Sequence, residues 1–135
     1  MNKGIHDLAK RCFAELLEKN DIEIIRKCPR CGIDESFNIY SHITNKNLNI
    51  ISKCIEEYEF EYNEKGKRAD IAYIENDKLE YIFEILNTHY TKASERPEPW
   101  FELRANEIVD MYNNILTNKH YNPKIRCARS TCDCY

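Results

Sequence analysis

Asp70 in RADIAYI (68–74) and Glu84 in LEYIFEIL (79–86) are carboxylates set inside apolar runs. A buried carboxylate without a partner is costly. The two runs are joined by the short turn ENDK, so they are expected to be antiparallel neighbours with the two acids side by side. Carboxylates that close repel, and one takes up a proton unless a cation lies between them. A hard divalent ion, Mg²⁺ or Mn²⁺, suits such a pair: oxygen ligands, few of them from protein, the rest water. A cation of that kind can activate water and stabilise a phosphoryl transition state. The alternative is an ion pair of Asp70 or Glu84 with Arg68 or Arg104.

A second constellation is made of cysteines. Cys28-Pro-Arg-Cys31-Gly32 has the form of a zinc knuckle, two thiolates two residues apart with a glycine to permit the turn. The tail adds Cys127, Cys132 and Cys134. Four of these five thiolates would close a tetrahedral zinc site, structural rather than catalytic because no coordination position stays open. Cys132 is the firmest ligand of the tail, completed by either Cys127 or Cys134, whereas Cys12 and Cys54 read as small core residues.

The elements that must position these groups follow from periodicity. Residues 3–19 carry Ile5, Leu8, Ala9, Cys12, Phe13, Leu16 and Leu17 on one helical stripe, with Glu15 at its edge. Residues 22–53 are less regular, with FNIYSHI as a short strand. IEEYEFEY (55–62) alternates, with Tyr58, Phe60 and Tyr62 on one side; NEKGK then turns into RADIAYI, and ENDK into LEYIFEIL. Pro97 and Pro99 keep the following stretch a loop or a short helix. WFEL reads as a further strand and ANEIVDMYNNILTN as a helix, with Trp100 as a core anchor. The expected whole is one α/β domain over residues 1–135, a mixed central sheet flanked by helices, with a zinc-binding element formed by 28–31 and 127–134.

Composition narrows the classes. The chain has 135 residues, 42% hydrophobic and 32% charged, which is globular chemistry for a single core. No apolar run approaches the roughly 20 residues that span a bilayer, and MNKGIHDLAKR lacks the apolar heart of a signal peptide, so an intracellular, non-secreted protein is expected. In that compartment, seven cysteines argue for metal rather than disulfides. The net charge of −3 speaks against a bulk nucleic-acid coat. The charge is uneven: Lys119, Lys124, Arg126 and Arg129 face Asp133 alone in the tail, while 55–64 is rich in glutamate. The basic tail either lies along a phosphate backbone or is a solvated end.

Helix, strand, Asp-strand, Glu-strand is the order of the PD-(D/E)XK nuclease core, and the chain resembles a small member of that restriction-endonuclease-like superfamily. In detail it is similar to competence protein CoiA-like proteins, such as those of large DNA viruses. RADIAYI (68–74), FEILNTH (83–89) and RPEPWFELRANEIV (96–109) carry the resemblance. It implies a nuclease that hydrolyses DNA phosphodiester bonds, with the metal on Asp70 and Glu84 and the Ile85 carbonyl as a further ligand. It also implies a carboxylate from the first helix, for which Glu15 is the candidate. The chain departs from the motif where a lysine is wanted two residues after the glutamate, because that position is Leu86. Lys92, and less directly Lys67, are candidates to replace it, with His89 as general base. The alternatives are a nuclease fold that binds nucleic acid without cutting, or a zinc-stabilised protein-interaction module; a dimer is compatible with the small size.

Overall fold

The computed structural model describes residues 3–19, 22–27, 32–38, 52–86, 96–97, 100–118, 120–121 and 123–128. Their elements are α1 (Lys3–Lys19), β1 (Glu23–Lys27), β2 (Asp34–Asn38), β3 (Ser52–Tyr62), β4 (Lys65–Glu75), β5 (Lys78–Leu86), β6 (Trp100–Arg104), α2 (Ala105–Thr117) and β7 (Lys124–Arg126). The strands form two sheets, a small one ordered β2-β1-β7 and a large one ordered β3-β4-β5-β6. The fold is therefore mixed α/β.

Local chemistry accounts for the large sheet. Asn63-Glu64 and Asn76-Asp77 all take left-handed φ values of 51° to 64°. Such pairs make tight two-residue turns whose twist suits antiparallel strands. They fold β3, β4 and β5 into an antiparallel meander, to which β6 adds in parallel, with Glu84 level with Glu102. Ile71, Tyr73, Phe83, Ile85, Phe101 and Leu103 join Phe13, Leu16 and Leu17 of α1 and Ile108 and Met111 of α2 in the main core. Phe83 stacks on Phe101 at 5.3 Å, and Phe13 meets Phe83 edge-on at the same distance. Leu8, expected on the buried stripe of α1, is 42% exposed.

A smaller cluster of Ala69, Ile82 and Trp100, with Phe60 and Leu79 packed against it, forms apart from the main core. Here the pleat is informative. Residues two apart on a strand normally share a face, yet Ala69 belongs to the small cluster and Ile71 to the main core. The switch falls at Asp70. Opposite it, the β3–β4 ladder pairs Glu56 with Ile71 and Tyr58 with Ala69, passing over Glu57, whose φ is +56°. The register is the same on both sides, one residue of each strand being passed over, so this is a local break in the pleat with no residue inserted.

The small sheet includes β1, in a stretch the sequence reading left irregular. β1 pairs antiparallel with β2, and β7 runs parallel to β1 with Ile24 level with Ile125. Cys127 continues that pairing by donating its N–H to Ile25 O at 2.8 Å, and the next residue donates from Ala128 N to Glu102 O at 2.7 Å. Arg26 fastens the two sheets together. Its guanidinium lies 5.0 Å from the Phe37 ring centroid and 5.4 Å from that of Phe101. The same group reaches Trp100 O at 3.5 Å and Glu35 at 3.4 Å.

Candidate functional site

The β4–β5 ladder stops at Ile71–Phe83, one position before Asp70 and Glu84 would face each other. Beyond that point the two side chains take over from the backbone. Asp70 N–H donates to Glu84 Oε1 at 3.2 Å, and Ile85 N–H donates to Asp70 Oδ2 at 2.8 Å. The sequence-predicted pair is thus brought together, each carboxylate capping a backbone donor that the parting strands leave behind. Ile85, whose carbonyl is the expected ligand, meets Asp70 through its N–H.

The two acids differ in setting. The Asp70 side chain is 22% exposed, the Glu84 side chain 7%. Burial, and then the charge of Asp70, push the Glu84 carboxyl up to about 7 from an ordinary 4.5, against the opposing pull of Arg96 and the Asp70 N–H. The ion pair that was the alternative to a cation site exists, but with a different arginine. Arg96 approaches Glu84 Oε2 at 3.5 Å, while Arg68 pairs with Glu57 at 3.2 Å and Arg104 with Glu107 at 3.7 Å.

The network runs further. Arg96 also donates to Arg68 O at 3.2 Å. Glu57, at the break in the pleat, holds the Lys10 ammonium. His6 Nε2 lies 3.5 Å from Asp70 Oδ2. His6 and Lys10 are four residues apart on α1 and so project from the same side. Burial alone would push the Lys10 ammonium down; the bond to Glu57 and the charges of Glu57, Asp7 and Asp70 raise it instead. Lys10 is a buried cation next to an acidic pair.

Glu15 is placed elsewhere. Its carboxylate accepts from Tyr112 OH on α2 at 3.0 Å, and nine residues separate it from His6, roughly 13 Å along the helix axis. Leu86 stays level with Arg104 at the end of the β5–β6 ladder. Cys28, Cys31, Cys132, Cys134, His89 and Lys92 lie outside the described residues. Cys127 is buried in the main core beside Ile125. Trp100 is fully buried, as a core anchor should be.

The sequence reading missed His6, Lys10, Glu57 and Arg96. Two signals bear on them. Ile55 and Tyr58 are three apart in an otherwise alternating strand, which marks a break in the pleat near Glu57. Lys10 interrupts the apolar stripe of α1. Arg96 has no such signal.

Among the described residues no three His, Cys, Asp or Glu side chains converge as a metal cluster. The donor set of Asp70 and Glu84 nonetheless fits a cation of the Mg²⁺ class, which commonly takes one or two carboxylates and keeps its waters. Partial exposure of Asp70 leaves solvent access, and the raised pKa of Glu84, from burial first and the charge of Asp70 second, is not cancelled by Arg96. Among the described residues no helix is long and apolar enough to cross a membrane. Compared with protein-family models, with curated proteins and with solved structures, the chain gives no match.

Proposed function

We propose that the chain is a metal-dependent nuclease of the restriction-endonuclease-like kind, hydrolysing DNA phosphodiester bonds with Mg²⁺ or Mn²⁺ held by Asp70 and Glu84. The observation that carries this reading is the interlock of the two carboxylates at a break in the pleat, where the sheet parts and backbone pairing ends. The order α1, β3, Asp70 on β4, Glu84 on β5 supports it. When bound, the cation supplies Lewis-acid polarisation and a more acidic water. In the reaction a water oxygen bonds to phosphorus, the bond to a sugar oxygen breaks, and the proton lost by the water is balanced by one gained by the leaving oxygen. His6, beside Asp70, is the proton acceptor. Lys10 supplies the cationic charge that Leu86 does not, and stabilises charge on the phosphoryl oxygens. Zinc would be held by Cys28, Cys31, Cys132 and Cys134, and would fix the tail to the first third of the chain.

The test is Mn²⁺-dependent cleavage of DNA by isosteric variants. Glu84→Gln and Asp70→Asn should lose cleavage by about a hundredfold or more while keeping the wild-type circular dichroism. Lys10→Met should retain Mn²⁺ binding and lose cleavage. Wild-type rates in Glu84→Gln would end this reading. One observation favours a second reading, a nuclease fold that binds nucleic acid without cutting: Arg96 on Glu84 and the Ile85 N–H on Asp70 partly satisfy both acids from within the protein. Calorimetric titration separates the two, since only the nuclease requires divalent-ion binding that Asp70→Asn removes.

A further inference from the structure

β3 is the outer strand of the large sheet, and among the described residues it pairs with β4 alone. Its 11 residues are long for an edge, and a long edge offers a row of backbone N–H and C=O groups to another strand. Burial agrees with that position: no residue from Cys54 to Tyr62 is buried, whereas Ala69 and 71–75 of β4 all are. The break at Glu57 divides the strand. Beyond it, Tyr58 to Tyr62 run level with Ala69 to Lys65 without interruption. In that stretch Glu59 and Glu61 are exposed and alternate with the half-buried Tyr58, Phe60 and Tyr62. Phe60 packs on the small cluster, so the aromatic residues lie on that side of the sheet and the two glutamates on the other. Arg68, level with Glu59, goes to Glu57 instead, as Lys10 does.

The charge of this edge has one sign: from Cys54 to Tyr62 the charged residues are Glu56, Glu57, Glu59 and Glu61. That selects the occupant. A second β3 laid antiparallel and centred on Phe60 would set Glu59 against Glu61, and like charges directly opposite are destabilising. A phosphate backbone is repelled by the same row. An incoming strand with lysine or arginine opposite Glu59 and Glu61 gains cross-strand ion pairs, and its intervening residues fall opposite Tyr58, Phe60 and Tyr62, where apolar side chains suit the aromatic face. We propose that the outer edge of β3 at residues 58–62 docks an extended segment of a partner protein in which basic and apolar residues alternate, added to the sheet as a further strand. Glu59 and Glu61 are about 6.8 Å apart along β3, the spacing of alternate residues on the added strand. Residues 58–62 lie outside the Asp70–Glu84 interlock, so this docking is independent of whether the chain cleaves DNA.

The experiment uses the full chain and a labelled, end-capped peptide of about ten residues that alternates lysine and valine, the length of a long strand. Binding is read by fluorescence anisotropy, and its place by deuterium exchange of the backbone amides. The peptide should bind the wild type and slow exchange within residues 58–62. A Glu59→Lys, Glu61→Lys double variant, its fold verified by circular dichroism and its thermal melt, should bind about tenfold more weakly or worse. A control peptide with proline in place of alternate valines keeps the charge but loses backbone donors, and it should not bind. Equal binding of the proline peptide overturns the proposal, since charge alone then suffices. Unchanged affinity in the folded double variant overturns it too, as does the absence of binding to the wild type. Exchange within 58–62 that slows with protein concentration, without peptide, overturns it in favour of a second copy of the chain. Displacement of the bound peptide by a DNA strand of similar length, with the same loss of exchange protection at 58–62 as peptide dilution, overturns it in favour of nucleic acid.

Discussion

Glu84 stands between two opposing pressures, burial with Asp70 beside it and the guanidinium of Arg96. Burial wins, and its carboxyl titrates at about 7 instead of 4.5. Between those values the folded protein holds a proton that the unfolded chain has released. The stabilising contribution is complete below about 4.5 and is lost as pH rises through about 7, up to roughly 3 kcal/mol. Without added divalent metal, urea unfolding should therefore show the wild type losing stability relative to Glu84→Gln over that interval. Mn²⁺ affinity should rise over the same interval, because the cation takes the ionised form. A pH-independent difference between the two proteins would reject the assignment. Asp70 and Glu84 were legible in the sequence because a charge inside an apolar run is conspicuous. Glu57 and Lys10 were not, because in charged or amphipathic surroundings a partnered ion looks like a solvated one.

The strands themselves were legible from alternation and turn residues, and β3 to β6 form close to where their patterns lie. What alternation hides is a break in its own phase. At Glu57 and Asp70 the pleat breaks with no change of register, Ala69 and Ile71 join different clusters, and the carboxylates fill the gap where β4–β5 pairing ends. β1 escaped notice because EIIRK is short and its buried residues run consecutively, Ile24, Ile25 and Arg26, rather than alternately. A buried arginine is not a usual strand core residue. It is tolerated here because Phe37 and Phe101 take its planar faces and Trp100 O and Glu35 its N–H groups. Arg26→Ala should cost about 2 kcal/mol or more in chemical denaturation, and Arg26→Lys should recover little, since an ammonium lacks the planar fork. Full recovery by lysine would show that charge alone holds the sheets together.

Across the molecule, the parallel pairing of β7 with β1 brings distant parts of the chain to one place. Both strands leave the small sheet at the same end, β1 towards Cys28 and β7 towards Cys132. A zinc ion at that end would tie the tail down. Metal analysis should find one zinc per chain in the wild type and in Cys127→Ser, and none in a Cys28→Ser, Cys31→Ser double variant. In that double variant the Cys127 amide, now bonded to Ile25 O, should exchange faster with deuterium. Zinc loss in Cys127→Ser would remove Cys127 from the core and return it to the ligands. By itself the sequence determined the helices, the meander and the acidic pair, because periodicity and turn chemistry are local and one short hairpin joins Asp70 to Glu84. Only the tertiary structure decided which α1 side chains meet that pair, which arginine balances Glu84 and that Cys127 is buried. Those outcomes depend on helix rotation, on how elements pack and on a parallel pairing between residues a hundred positions apart, and none of these is written in any local window.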